Sequence, residues 1–222
     1  MRPRLRPTLL ATVAVAAPAL AACGGADDWS QPHSAPTPVG ALAAGFVPAH
    51  TPAPESTVTP RPGSWDGVHP GKGYRVVLLT AGDDPQTTTL TDAVKAWADD
   101  EDVSLKTVRA ASGDEFVASI DRAVDLAPDL VISAGNDLVD PMAMVTAGHL
   151  SQQFLVVGAE LAEPTGNVTA ADWTGASFRG EGLGMSSTYD PATFTPERAA
   201  RAVRAGVAAV VSGHTGIVLW ID

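Results

Sequence analysis

The sequence has little of what stabilises small disulfide-rich domains or binds nucleic acids. Its 222 residues include a single cysteine, so no disulfide can form within one chain. Lysine and arginine number 14 against 25 acidic residues, which gives a formal net charge of −11. Binding a phosphate backbone needs clustered basic residues, and here they are scattered. The composition therefore excludes a disulfide scaffold and argues against a nucleic-acid partner.

Common catalytic and cofactor motifs are also missing. The sequence contains no G-x-S-x-G nucleophile motif and no P-loop, and its histidines and acidic residues do not follow metal-ligand spacing. The glycine-rich stretch Gly180-Glu181-Gly182-Leu183-Gly184 follows no defined strand, unlike a dinucleotide-binding fingerprint. We therefore predict that the chain is not an enzyme and uses no cofactor and no metal.

What the chain does have, at its start, is the pattern of an export signal. Arg2, Arg4 and Arg6 precede an apolar stretch, Leu9–Leu20, which is shorter than the roughly 20 residues that span a bilayer. Small residues then lead to the only cysteine in Leu20-Ala21-Ala22-Cys23, which resembles a lipobox. Residues 1–22 are predicted to be a lipoprotein signal peptide.

Cys23 has two interpretations. An ordinary secretory signal could carry a cysteine by chance, since small residues also suit the general signal peptidase. A lone thiol in an exported chain would then be a reactive leftover, whereas acylation makes its sulfur a thioether. We favour acylation, for example with palmitate, which predicts an extracytoplasmic protein anchored to membrane lipid through Cys23.

The next segment, residues 23–73, is rich in proline, alanine and threonine and shows no sustained apolar period. Ala35-Pro36-Thr37-Pro38 and Thr51-Pro52-Ala53-Pro54 are typical of extended, polyproline-like chain. We expect the lipidated Cys23 to be followed by a disordered tether that lifts a domain off the membrane.

Residues 74–222 read as one α/β domain. Short apolar runs alternate with amphipathic stretches in the order β-α-β-α-β-α-β, which predicts a single doubly wound, mainly parallel sheet in the flavodoxin-like strand order 2-1-3-4-5. A further short strand, a helix and a final strand complete the pattern. The predicted strands begin near Tyr74, Val103, Leu130, Phe154, Asn167 and Ile217, and the last helix spans Pro196 to Ser212.

A ligand site in such a sheet lies beyond the carboxyl ends of its strands, where the strand order reverses. The polar residues and the one aromatic ring in these loops would suit a small polar molecule held by its hydroxyls and by stacking. Helix capping and turns also explain many of them, Asp83, Asp84 and Asp114 above all. The candidate ligand-binding residues are Thr80, Asp83, Asp84, Asn136, Asp137, Glu160, Asp172 and Trp173.

Three segments carry a family resemblance: Pro128–Gly135, Gln153–Val157 and Phe178-Arg179-Gly180-Glu181-Gly182. Together they resemble the basic-membrane-protein family of lipid-anchored solute-binding proteins of ABC importers, which have the type I periplasmic-binding fold. Asn136 and Asp137 match the position where a family member would contact its ligand. Leu138 replaces the usual neighbouring aromatic residue, which weakens the case for nucleoside stacking.

The chain is too short for the two lobes of that family and corresponds to one lobe. The resemblance implies a membrane-anchored protein that binds a small polar, nucleoside-like solute and partners an ABC permease. The alternative is a non-enzymatic interaction or sensing module of the cell envelope, with an envelope protein as its partner.

Overall fold

The computed structural model describes residues 28–177 and 188–222. The predicted signal peptide, Cys23 and the segment Phe178-Arg179-Gly180-Glu181-Gly182 lie outside the described residues. None of the helices within the described ranges is both long enough and apolar enough to cross a membrane.

Seven strands form one parallel sheet, in the order β2-β9-β8-β7-β6-β4-β5, and two more form a small antiparallel pair, β1 with β3. From β4 onward the order is the predicted flavodoxin-like one, extended by β9, so the predicted doubly wound sheet is confirmed. The strands are β1 (Val39–Gly40), β2 (Thr57–Val58), β3 (Val68–His69), β4 (Arg75–Ala81), β5 (Ser104–Ala110), β6 (Leu130–Ala134), β7 (Phe154–Val157), β8 (Val168–Asp172) and β9 (Val218–Trp220).

Helices cover both faces of the sheet. The helices α1 (Pro85–Asp100) and α4 (Pro196–Val211) pack on one face, and α2 (Phe116–Asp125) and α3 (Val139–Val145) pack on the other. Because both faces are covered, every residue of β4, β6 and β7 is buried, which matches their nearly continuous apolar sequence. A cap followed by proline starts both long helices, Asp84 before α1 and Thr195 before α4.

The expectation of a disordered tether is wrong for residues 28–73. Strand β2 pairs in parallel with β9 at one edge of the main sheet, and Phe46 and Trp65 are 1% and 5% exposed within the core. Removing a large aromatic side chain from water contributes roughly 1.5–3 kcal/mol, which offsets part of the entropy lost when the surrounding chain is ordered. The folded domain therefore begins by Asp28 and not at Tyr74.

The buried aromatic residues of this segment bind it to the face that carries α4. Phe46 packs edge-on against Trp65, with ring centroids 6.3 Å apart, and His214 lies beyond Phe46 at 6.5 Å. His69 of β3 contacts Glu101 at 2.8 Å, and Arg204 of α4 contacts the same carboxylate at 3.1 Å. These side chains are too far apart in the sequence to form a periodic apolar pattern, and only the fold brings them together.

Candidate functional site

A cleft of about 700 Å³ opens at the carboxyl ends of β4, β6 and β7. It lies where the strand order reverses between β4 and β6, as expected of a ligand site in this architecture. We call it the carboxyl-edge cleft, lined by Gly82, Asp83, Asp84, Gln86, Thr87, Gly135, Asn136, Asp137, Gly158, Ala176, Ser177, Tyr189 and Phe194.

Glycines that end the strands shape its floor. Gly135 follows β6 with φ +96°, and a methyl group there would lie 2.7 Å from Thr87 Oγ1. Gly158 follows β7 with φ +77°, and a methyl group would lie 2.8 Å from Leu90 Cδ1. These positions need glycine for both conformation and space, because α1 begins directly against the strand ends.

Carboxylates converge above the loop that follows β4. A methyl group placed on Gly82 would lie 3.0 Å from Asp137 Oδ2 and 3.5 Å from Asp84 Oδ2. Asp84 caps α1 by accepting a hydrogen bond from the Thr87 N–H at 2.9 Å. Burial opposes ionisation, but the hydrogen bonds from Thr87 and Gln86 outweigh it and lower the pKa of Asp84.

Tyr189 faces these carboxylates from the other side of the cleft. Burial, followed by the charges of Asp84 and Asp137, raises the pKa of its hydroxyl, so it stays a neutral donor. Its ring is 50% exposed and lies 5.8 Å from that of Phe194. The cleft thus presents an aromatic surface opposite negative charge.

Asn136 supplies an unused polar atom. Its Oδ1 is buried, and no hydrogen-bond partner for it exists within the described part of the chain. A buried polar atom without a partner costs about 1–3 kcal/mol, which a ligand that donates a hydrogen bond would recover.

Four of the eight predicted site residues meet in this cleft: Asp83, Asp84, Asn136 and Asp137. The other four lie outside its lining. Thr80 is buried beneath α1, beside a separate groove of about 120 Å³ between α1 and β5. Its side chain alternates with those of Leu79 and Ala81 and so points to the α1 face of the sheet.

Trp173 turns into the core. It is 1% exposed, packs edge-on against Phe194 at 5.1 Å, and donates a hydrogen bond from Nε1 to Thr193 Oγ1 at 3.1 Å. Glu160 and Asp172 are also buried, behind the cleft wall, where Asp172 donates a hydrogen bond to Glu160. These three side chains support the cleft and do not line it.

The aromatic residues of the cleft, Tyr189 and Phe194, are not among the site residues predicted from the sequence. Tyr189 and Phe194 precede α4, and the helix-start signal Thr195-Pro196 was visible in the sequence. A helix that runs back along a parallel sheet starts at the carboxyl ends of the strands, so the residues before it could have been placed at this edge.

The fold and the cleft define a class: an α/β domain with one parallel sheet and an acidic cleft at its carboxyl edge. In the described ranges, no group of three or more histidine, cysteine, aspartate or glutamate side chains could hold a metal ion. No protein-family profile matches the sequence, and no curated protein matches it significantly. The resemblance to the basic-membrane-protein family therefore stays a prediction.

Several solved structures share the architecture at low identity. A putative lipoprotein fragment from Peptoclostridium difficile 630 is 18% identical with a TM-score of 0.46, over 62% of this chain and 98% of that one. An ABC-transporter solute-binding protein from Aeropyrum pernix K1 is 17% identical with a TM-score of 0.42, over 46% of this chain and 29% of that one.

A solute-binding protein from Bradyrhizobium sp. BTAi1, solved with bound bis-tris, is 13% identical with a TM-score of 0.38. The match covers 86% of this chain and 61% of that one. The chain thus spans less than two thirds of either solute-binding protein. Similarity at this level identifies neither a function nor a ligand.

Proposed function

We propose that this protein is an exported lipoprotein, anchored through Cys23, whose domain binds a small polar solute in the carboxyl-edge cleft. The observation that carries the proposal is the cleft itself, where three carboxylates, the unpartnered Asn136 Oδ1 and the Tyr189 ring face one space. A concave site with a few convergent polar groups is the usual form of a small-molecule site.

The charge of the lining selects the ligand class. Asp83, Asp84 and Asp137 contribute negative charge, and no lysine, arginine or histidine is among the described lining residues. An anionic ligand would be repelled at short range, whereas hydroxyl or ammonium groups would donate to the carboxylates. The solute is therefore a neutral polyhydroxyl compound, such as a pentose or a nucleoside, or a small ammonium compound.

A single open lobe leaves much of a ligand exposed to water. Tight binding sites bury most of the ligand surface, so this domain alone binds weakly, or a partner completes the site. An ABC permease is one such partner, and another envelope protein is the alternative. Both assignments rest on the proposed solute site.

Thermal unfolding with matched ligands tests the proposal. The panel is ribose, adenosine, spermidine and ribose 5-phosphate, each at millimolar concentration with the chain carrying Cys23→Ser. A ligand that binds only the folded state at about 100 times its Kd adds about 2.7 kcal/mol of stability. We expect ribose, adenosine or spermidine to raise the Tm and ribose 5-phosphate to leave it unchanged.

A pair of matched variants tests whether a ligand-induced Tm shift arises from binding in the cleft. Asp137→Asn removes a cleft carboxylate and should weaken binding at least about tenfold, since a hydrogen bond to a charged group contributes roughly 1.5–3 kcal/mol. Asp92→Asn removes an exposed carboxylate of α1 outside the cleft and should change nothing. If no compound of the panel shifts the Tm, the solute-binding proposal fails.

A further inference from the structure

The first described residues contact the domain at one corner of the sheet, where its edge strand β5 begins. Trp29 donates a hydrogen bond from Nε1 to Ser104 Oγ, the first residue of β5, at 2.8 Å. The ammonium group of Lys106 lies 4.5 Å from the centre of the same indole ring. Trp29 is thereby held at the edge strand, at the end where β5 begins.

Two further contacts hold the neighbouring residues at the same end. The guanidinium group of Arg75, the first residue of β4, donates to the carbonyl oxygen of Asp28 at 3.0 Å and of Gln31 at 3.3 Å. His33 contacts the Asp129 carboxylate at 2.8 Å, just before β6. Residues 28–33 are thus attached where β4, β5 and β6 begin.

The carboxyl-edge cleft lies at the opposite end of these strands. Strand β4 runs from Arg75, beneath the attached segment, to Ala81, next to the cleft residue Gly82. Its seven residues span about 20 Å at roughly 3.3 Å per residue. The point where the chain enters the domain and the point where a solute would bind are therefore separated by the length of the sheet.

Little chain separates that entry point from the anchor. Cys23 precedes Asp28 by five residues, which reach at most about 18 Å even when fully extended. We infer that the amino-end face, formed where β4, β5 and β6 begin, rests on the lipid surface and that the cleft opens away from the membrane. The inference assumes the acylation of Cys23 proposed above.

Exposed apolar side chains occur toward the same face. The connection from β6 to β7 runs from the cleft end back to the amino-end face; Met144 lies near the end of α3, midway along it, and Leu150 lies shortly before β7 begins. They are 76% and 63% exposed, unlike the other large apolar residues of this connection, which are buried or half-buried. Apolar groups at the level of the headgroups would add to the contact with lipid.

Energy transfer to a lipid acceptor tests the orientation. Cys23 is the only cysteine and acylation consumes its thiol, so an introduced cysteine is the only free thiol for a fluorophore. Leu150→Cys marks the amino-end face, and Ala192→Cys marks the opposite end, in the exposed turn before α4. On vesicles of phosphatidylcholine with a trace of rhodamine lipid, we expect stronger quenching at position 150 than at position 192, because the two ends of the sheet lie about 20 Å apart.

Two controls test whether the difference in quenching between positions 150 and 192 depends on the short chain between Cys23 and Asp28. An insertion of about 40 Gly/Ser residues between Ala26 and Asp27 should abolish the difference, because such a linker spans roughly 35 Å. Trp29→Ala combined with His33→Ala should reduce it, because the side-chain contacts with Ser104 and Asp129 are lost and, of the contacts described above, only the Arg75 hydrogen bonds to the backbone of this segment are kept.

Mass spectrometry of the same samples separates the two ways of failing. If Cys23 carries no acyl chains and the protein does not bind vesicles, the lipoprotein proposal is wrong and the orientation with it. If Cys23 is acylated and both positions are quenched equally, or position 192 more strongly, the orientation is wrong and the lipoprotein proposal stands.

Discussion

Glu160 and Asp172 form a buried acidic pair behind the wall of the cleft. Their side chains are 6% and 1% exposed, and one oxygen of each, Glu160 Oε1 and Asp172 Oδ1, has no partner within the described residues. Burial raises the pKa of Glu160 to about 7. Burial, followed by the charge of Glu160, raises the pKa of Asp172 well above its ordinary value. At pH values between the ordinary and the raised pKa values, the folded protein therefore holds protons on this pair that the unfolded chain has released.

Stability should consequently fall as the pH rises. A raised carboxyl pKa contributes stability that is fully present below the pKa of the unfolded chain and is lost as the pH passes the folded value, here about 7 for Glu160. Between pH 5 and pH 8 the free energy of unfolding should decrease by about 2 kcal/mol from Glu160 alone. Urea unfolding at several pH values measures this decrease.

A double variant identifies the source of the pH dependence. Glu160→Gln with Asp172→Asn removes both titrating groups at nearly constant volume and should flatten the profile between pH 5 and pH 8. Glu163→Gln removes an exposed carboxylate nearby and should leave the slope unchanged. An unaltered slope in the double variant would mean that other groups titrate.

The segment from Asp28 to Gly73 is a folded element, and Phe46 is the residue that tests this best. Phe46→Ala should lower the free energy of unfolding by about 3–5 kcal/mol, because the side chain is 1% exposed and its removal leaves a cavity. Val39→Ala, in the same segment but 60% exposed, should change it by less than about 0.5 kcal/mol. Chemical unfolding measures the change in the free energy of unfolding for both variants. Equally small changes would support a disordered segment, as predicted from the sequence, and contradict the folded one.

The sheet could be predicted from the sequence, whereas this segment could not. Strands such as Arg75–Ala81 are apolar along their whole length because helices cover both faces, and that property is visible locally. Phe46 and Trp65 are single aromatic residues among prolines and glycines, and only their contacts in three dimensions bury them.

Only four of the eight predicted site residues line the cleft, because sequence position locates some lining residues and tertiary packing locates the others. Asp83, Asp84, Asn136 and Asp137 directly follow strands, so the general rule for parallel sheets locates them at the cleft. Tyr189 reaches the cleft through the connection before α4, whose path depends on tertiary packing.

The folded segment changes the layout of the whole molecule. A disordered tether of about fifty residues would let the domain reach any partner near the membrane, in any orientation. With Cys23 acylated as proposed, the four residues between Cys23 and Asp28 would keep the domain at the lipid surface with its cleft outward. A permease in the same bilayer would meet the end opposite the cleft, so this orientation favours an envelope partner or solute sensing over delivery to such a permease.

The net charge of the molecule predicts how the membrane is bound. The chain carries −11, and loss of the predicted signal peptide with its three arginines would make it more acidic still, so anionic lipids would repel it. In the proposed lipoprotein, attachment would then depend on the acyl chains at Cys23, each buried CH₂ contributing about 0.8 kcal/mol. In flotation assays the acylated protein should rise with vesicles whether or not they contain phosphatidylglycerol. The Cys23→Ser protein should stay at the bottom with both. Flotation of Cys23→Ser only with phosphatidylglycerol, and its loss at high salt, would instead show an electrostatic attachment that the charge argument rejects.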